Sequence, residues 1–319
     1  MIRFLQFFAV LALTSLWITP PAALADDNPS VLVTGSTTGI GRNLAERLAR
    51  EGYHVYAGAR TDAEMAELNA IDNMTAVRLD VTKQDEIDAA VAFVRKQGTG
   101  LYGLINNAGV GGGGPIVSTD IDEQTFVYDV NVEGVYRITK AFAPLIMESQ
   151  GRIVTTGSIA GTLSWGGGSA YSGSKHWIEA LTDALAAEMA PHGVSVSVVE
   201  PGNFQSYIRR SSVLRQFAKV EAAGGEITDA MKKRYADTEA RELSFKQPDE
   251  VTSAFMHALF DDKPLRRYVV APNQQEQART ISTKIEQLVQ LNEWGPYSYS
   301  REELSEMLRA AMSEDKVEE

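Results

Sequence analysis

From residue 30 to residue 270, short apolar runs rich in β-branched residues alternate with segments of helical periodicity. This alternation most constrains what the chain can become. The runs 30–34, 53–59, 75–79, 101–105, 152–156, 194–199 and 267–270 have the length and composition of buried strands. Between them, helical patterns cover 42–50, a stretch from about 62, 84–96, 122–147, 171–189 and 248–260. Strands separated by helices pair in parallel through right-handed crossovers, so the pattern predicts an α/β fold with a parallel sheet covered on both faces.

The other bulk properties narrow the function. A formal net charge of −12 argues against nonspecific binding of nucleic acid. With no Cys, the chain has no disulfide framework, thiolate nucleophile or Cys zinc site. The four His, at 54, 176, 192 and 257, show no metal-ligand spacing, so no metal site is expected. At the start, Arg3 precedes an apolar run over 4–18, Pro20-Pro21 and Ala23-Leu24-Ala25, the layout of a secretory signal peptide cleaved near residue 25. An uncleaved membrane anchor and a misassigned start codon are the alternatives, so the body is expected to be exported, anchored or, in the last case, cytoplasmic. The division predicted is a leader over 1–25, a nucleotide-binding domain over 26–273 and a helical extension over 274–319.

The loops at strand ends carry the chemistry. The first strand runs into Gly35-Ser36-Thr37-Thr38-Gly39-Ile40-Gly41 and then a helix. A glycine-rich turn there lets backbone N–H groups approach a phosphate at the positive helix end; a merely flexible turn is the plainer reading. Arg60 stands at the end of the second strand, where an acid would accept from a ribose hydroxyl and a cation would pair with a 2′-phosphate. NADP(H) is therefore favoured over NAD(H), the other reading being an arginine capping the strand in solvent. Thr38 is not basic, so this preference leans on Arg60 alone. Asn131 sits inside a helical pattern that it fits poorly, either as a functional irregularity or as a tolerated exposed residue. Ser158 ends the fifth strand, where ligands of open α/β sheets bind.

Tyr171 and Lys175 lie one turn apart on a single helical face. A free Tyr titrates near about pH 10, and work near neutral pH needs roughly three units less, about 4 kcal/mol. An ammonium about 4 Å away supplies on the order of 4 kcal/mol at an effective dielectric near 20. The spacing thus provides a proton-transfer device.

In order along the chain, Thr34-Gly35-x-x-x-Gly39-x-Gly41, Asp80-Val81, Asn106-Asn107-Ala108-Gly109, Asn131, Ser158, Tyr171-x-x-x-Lys175 and Pro201-Gly202 resemble the motifs of the short-chain dehydrogenase/reductase family. The resemblance is to its short, single-domain branch and spans roughly 30–270. It implies a Rossmann-type doubly wound sheet of about seven strands and the interconversion of alcohol and carbonyl by hydride transfer. It implies Tyr171 as general acid/base, Lys175 lowering its pKa and bonding the nicotinamide ribose, Ser158 holding the substrate oxygen, and Asn131 positioning a relay water. Gly35, Thr37, Gly39, Ile40 and Gly41 would hold the pyrophosphate, Asp80 and Val81 the adenine, and Asn107, Ala108 and Gly109 the adenosine side. Pro201, Gly202 and Ser206 would flank the nicotinamide, with Ser206 where a Thr is commoner.

The variable stretch 204–246 is expected to set the substrate. Phe204, Tyr207, Ile208, Val213, Leu214 and Phe217 make its first half apolar, favouring a lipophilic alcohol or ketone of the kind used by retinol and hydroxysteroid relatives; lid core is the alternative. In the tail, Ile281, Ile285, Leu288 and Leu291 follow helical spacing, and Ser300-x-x-Glu303 forms a capping-box pattern. That predicts a helical pair packed on the body, or else a lid or homo-oligomer contact. A non-catalytic NADP-binding sensor or scaffold is the alternative function; such relatives typically lose the Tyr or the Lys, and both are present here.

Overall fold

The computed structural model describes residues 29–312. The leader reading of 1–25 lies outside them. The elements run β1 (Ser30–Val33), α1 (Gly39–Arg50), β2 (His54–Ala59), α2 (Asp62–Asn69), β3 (Met74–Arg78), α3 (Gln84–Gln97) and β4 (Gly103–Asn106). After these come α4 (Ile121–Tyr128), a π-helical stretch Asp129–Gly134, α5 (Val135–Glu148), β5 (Arg152–Thr156), α6 (Ser169–Met189) and β6 (Ser195–Pro201). The last elements are α7 (Ile208–Ala222), α8 (Asp229–Leu243), α9 (Asp249–Phe260), β7 (Arg267–Val270), α10 (Gln274–Asn292) and α11 (Arg301–Met312).

The seven strands form one sheet in the order β3-β2-β1-β4-β5-β6-β7, with every pairing parallel. The chain winds outward from β1 through β2 to β3, then returns to place β4 on the other side of β1. Where neighbouring crossovers leave to opposite faces, a crevice opens at the carboxyl ends of the strands.

Successive residues of β1 point to opposite faces, yet all are buried, as in a strand covered on both sides. Val31 and Val33 join one core cluster with Leu44 and Leu48 of α1 and with Val251, Phe255 and Leu259 of α9. Leu32 joins a second, with Ile87 and Val94 of α3, Ile138, Phe142 and Ile146 of α5, and Leu185 of α6. These helices show their apolar residues at three- and four-residue intervals because only one stripe of each meets the sheet.

Two stretches differ from the simple pattern. The single helix expected over 122–147 is split by π-helical Asp129–Gly134. Asn131 lies inside that insertion and is 1% exposed, so the irregularity is present and the reading of a tolerated exposed residue is corrected. The tail is helical as expected, and the Ser300 box is formed: Ser300 N–H donates to Glu303 Oε2 (2.7 Å), and Glu303 N–H to Ser300 Oγ (3.2 Å). Its apolar residues, however, do not pack on the body. Ile281, Ile285, Leu288 and Leu291 are 46%, 53%, 49% and 80% exposed. The face of α10 that meets the body is a polar stripe through Glu276, Thr280 and Gln287: Glu276 Oε1 accepts from the Asn203 N–H (2.8 Å), and Gln287 Nε2 donates to the Thr162 carbonyl (3.2 Å). Hydrogen bonds to loop backbone set the rotation of this helix, so its hydrophobic side is left outward.

Phe142 is fully buried between α5 and the sheet. Its replacement by Ala is expected to lower the unfolding free energy by about 3–5 kcal/mol through lost burial and an unfilled cavity. Urea denaturation measures this, and a loss below about 1 kcal/mol would contradict the packing described here.

Candidate active site

The strand ends at the β1/β4 switch point are tied together by Asn107 and Thr34. Asn107 Nδ2 donates to the carbonyls of Thr34 and Gly35 (3.1 Å each), and its Oδ1 accepts from Thr156 Oγ1 (3.1 Å) at the end of β5. Thr34 Oγ1 in turn accepts the backbone N–H groups of Asn107 (2.9 Å) and Ala108 (3.0 Å). The sequence assigned Asn107 to cofactor contact. The structure places it on the cleft wall but commits its amide to bracing the walls.

The glycine loop meets conditions that only glycine satisfies at three of its positions. Gly35 and Gly39 have φ of +66° and +57°, in the left-handed region. A Cβ on Gly41 would lie 2.3 Å from both the Gly35 carbonyl oxygen and Asn107 Nδ2, so α1 begins hard against the loop backbone. No side chain caps the start of α1 and its first turn holds no acid, so its leading N–H groups and positive dipole end remain for an anion. This cradle fits a dinucleotide pyrophosphate.

Along the adenosine side, Arg60 follows β2 directly. Its backbone N–H donates to Glu64 Oε2 (3.0 Å) and its carbonyl accepts from Arg78 (2.6 Å). Among the described residues, its guanidinium forms no ion pair. Burial disfavours the Asp80 carboxylate, but hydrogen bonds from Thr82 and the charge of Arg60 outweigh it and hold the pKa below the usual aspartate value.

The reacting end is built on α6 and the turn after β5. Tyr171 is half-buried and lines the cleft together with Ser158, which acts to lower the phenol pKa. Ser158 Oγ accepts from the Ala160 N–H (3.1 Å), which fixes the serine at the head of a short 3₁₀ turn. Lys175, 6% exposed, donates from Nζ to the Thr156 carbonyl (2.7 Å) and lies 5.9 Å from the centre of the Tyr171 ring. Burial lowers the Lys175 pKa to about 8, against the charge of Glu179. Burial also raises the Tyr171 pKa above that of a free phenol, opposed by the Ser158 hydrogen bond and the positive charge of Arg209. The expectation that the Lys175 ammonium lowers the Tyr171 pKa is corrected, because Ser158 and Arg209 are the groups that act in that direction. The lysine is held against the strand carbonyl, and Ser158 and Arg209 oppose the cost of burial.

Asn131 is brought to the same region but spends its side chain on structure. Oδ1 accepts from the Val110 N–H (2.8 Å), while Nδ2 donates to the Val110 carbonyl (2.9 Å) and to Ser174 Oγ (3.1 Å). It fastens the loop after β4 to α6, using a side-chain direction made available by the π insertion.

Gly35, Thr37 and Ile40 of the glycine loop, with Arg60, Asp80, Val81, Asn107, Ala108, Gly109, Ser158, Tyr171, Lys175, Pro201, Gly202 and Ser206, line one continuous cleft of about 870 Å³, while Gly39 and Gly41 lie behind its wall. The segment after β6 forms its roof: a Cβ on Gly39 would meet Ser206 Cα at 3.2 Å, and one on Gly111 would meet the Ile208 carbonyl at 3.1 Å. Of the residues read as substrate-facing, Phe204, Tyr207, Ile208 and Val213 line the cleft, Phe204 and Val213 being otherwise buried, and Phe217 packs beside Tyr235 with ring centres 6.2 Å apart. Trp165 stands near Tyr171, ring centres 6.5 Å apart. Arg209 was missed, because the stretch around it reads as apolar; the Arg209-Arg210 pair interrupting that stretch was the available signal.

The family model for short chain dehydrogenase matches residues 29–216. The chain belongs to this family. It is 34% identical over 263 residues to the mitochondrial D-beta-hydroxybutyrate dehydrogenase of Bos taurus, covering 75% of this chain and 76% of the relative. It is 34% identical over 251 residues to retinol dehydrogenase 16 of Rattus norvegicus, covering 75% and 79%. A solved short-chain dehydrogenase from Streptomyces avermitilis superposes with a TM-score of 0.68 at 27% identity, covering 90% of this chain and 99% of that one. Membership makes the protein an NAD(P)-binding oxidoreductase that interconverts an alcohol and a carbonyl compound.

Because the contacts of an added Gly41 Cβ are backbone and a braced amide, Gly41→Ala is expected to displace the loop and weaken nicotinamide dinucleotide binding by at least about tenfold, roughly 1.4 kcal/mol. Titration of intrinsic Trp fluorescence measures it, with circular dichroism as the check on folding. Unchanged affinity would place the phosphates elsewhere.

Proposed function

We propose that the protein is an NADP(H)-dependent alcohol dehydrogenase or carbonyl reductase, with Tyr171 moving the proton. The observation that carries this is that Ser158, Tyr171 and Lys175 line the same cleft as the pyrophosphate cradle. In this reading Gly35, Thr37, Gly39, Ile40 and Gly41 hold the phosphates, Asp80 and Val81 border the adenine, and Ala108 and Gly109 give a flat wall beside the adenosine. Pro201, Gly202 and Ser206 border the nicotinamide, and Lys175 reaches its ribose. The nicotinamide, when bound, gives or takes the hydride at the substrate carbon.

The residues of the chain do the rest. Ser158 donates a hydrogen bond that holds the substrate oxygen beside the phenol. Tyr171 gives its proton to that oxygen in reduction and removes it in oxidation. Because burial keeps the phenol protonated at neutral pH, reduction begins from the resting protonation state. Oxidation needs the phenolate and so gains as pH rises. Lys175, lowered to about 8, is mostly ammonium at neutral pH and adds positive potential on this side of the ring.

Arg60 supports the choice of NADP(H). It is exposed, follows β2 directly, and has no carboxylate partner among the described residues, which leaves its fork for a 2′-phosphate. The apolar wall of Phe126, Leu163, Trp165, Tyr207, Ile208 and Val213 supports a substrate with an apolar body. The two curated relatives are named for substrates of different kinds, hydroxybutyrate and retinol.

Tyr171→Phe is expected to reduce kcat by at least about 10²–10⁴-fold, the usual contribution of a positioned acid or base. The nucleotide Kd should stay within about threefold in the same variant; surviving turnover would remove Tyr171 from the mechanism, and lost nucleotide binding would make its role structural. Arg60→Ala is expected to weaken NADPH binding by about 10–100-fold, matching one charge-assisted contact of roughly 1.5–3 kcal/mol, while changing NADH binding much less. Equal effects on both nucleotides would assign Arg60 to general adenosine packing.

A further inference from the structure

The arginines at the reacting end of the cleft divide sharply by partner. Arg210 is tied to Glu239 (3.0 Å) and Glu242 (2.9 Å), and Arg215 lies 3.5 Å from Glu123. Arg209, next in sequence to Arg210, lines the cleft and has no ion pair among the described residues. Its Nη2 donates to a neutral oxygen, Asn203 Oδ1 (2.5 Å), and its guanidinium carbon lies 5.2 Å from the centre of the Phe245 ring.

The nearby carboxylates are committed elsewhere. Glu242 is fully buried, accepting from Arg210 Nε (2.9 Å) and from the Arg209 backbone N–H (2.8 Å). Glu276 accepts from both the backbone and the side chain of Asn203, 2.8 Å each. Glu242 and Glu276 favour the Arg209 charge from a distance, but neither pairs with it directly, so the half-buried guanidinium keeps donors for a ligand. Burial opposes the Arg209 charge.

The charge of the whole cleft points the same way. Its lining includes Arg60, Lys175, Arg209, Arg234 and Arg279 but only one acid, Asp80, in a chain of net charge −12. Arg234 of α8 also bonds a neutral oxygen, Gln216 Oε1 (2.9 Å). A concave site lined by positive charge on a protein of negative net charge concentrates anionic ligands.

We propose that Arg209 receives the carboxylate of the substrate, so that the enzyme acts on hydroxy acids and oxo acids with an apolar body rather than on neutral alcohols and ketones. This rests on the oxidoreductase reading above. Two kinds of anion could reach the guanidinium, a substrate carboxylate and a cofactor phosphate. Arg209 directly follows Tyr207 and Ile208 of the apolar cleft wall and its charge acts on Tyr171, whereas the phosphate cradle lies at the start of α1, which favours the substrate. The carboxylate pairs with the guanidinium, the apolar tail lies along Trp165 and Val213, and the carbonyl faces Ser158 and Tyr171. No proton or electron moves at Arg209; it positions.

The test uses oxo acids of increasing chain length, each beside its methyl ester, reduced with NADPH and with NADH by the full described chain. The wild type is expected to prefer the acid over its ester by about 10–100-fold in kcat/KM, as expected for a charge-assisted contact. Arg209→Gln should collapse that ratio to near unity through KM for the acid, and Arg209→Lys should restore part of it. Nucleotide Kd, measured directly on each variant, separates the sources: a loss of nucleotide affinity with an unchanged acid-to-ester ratio would overturn the proposal and make Arg209 a phosphate ligand. A wild type that reduces esters as well as acids would overturn it while leaving the oxidoreductase reading intact. No turnover across the whole panel, by protein that binds nucleotide, would overturn both.

Discussion

The site depends first on the hydrogen-bonded junction of Asn107 and Thr34 where β1, β4 and β5 end. Parallel strands converge there with their loops departing in different directions, and nothing in the β ladder fixes those loops relative to one another. Asn107 does so with one amide, bonding Thr34 and Gly35 on one side and Thr156 on the other. The Thr156 carbonyl then holds Lys175. One network of short-range contacts therefore sets the distance between the pyrophosphate cradle and the proton-transfer residues. It is buried enough that each lost hydrogen bond would strand a polar group.

The reacting end shows an opposite balance. Burial raises the Tyr171 pKa and lowers that of Lys175, so desolvation drives both groups toward their neutral forms. The protein offsets part of this with Ser158 and Arg209 at the phenol and with the charge of Glu179 at the ammonium. A partly desolvated, positively lined pocket is unfavourable for the fold by itself but strengthens interactions made with an anionic ligand inside it. Arg209 joins these two aspects, acting on the phenol while remaining open to a countercharge.

The C-terminal helices show how polar contacts can decide what apolar residues cannot. α10 is docked through Glu276, Thr280 and Gln287, with Thr280 only 2% exposed, and α11 has no buried residue. Periodicity in Ile281, Ile285, Leu288 and Leu291 correctly marked a helix. It did not tell which side would face the body, because the docking surface is loop backbone, which asks for hydrogen-bond donors and acceptors rather than methyl groups.

Sequence by itself determined the strands, the helices and their parallel arrangement, because burial on both faces demands continuous apolar runs, and crossovers demand helices between them. It also determined the glycine loop, since positive φ at Gly35 and Gly39 and the close approach at Gly41 leave glycine as the residue that fits. Ser158, Tyr171 and Lys175 were legible because helical spacing and strand ends place them without knowledge of distant contacts. Tertiary structure alone decided that Asn107 and Asn131 brace rather than reach outward, that the Tyr171 pKa rises, and that Arg209 faces the cleft without a carboxylate. Each of these depends on which atoms from remote segments arrive within about 3 Å, and hydrogen bonding and desolvation are set at that range.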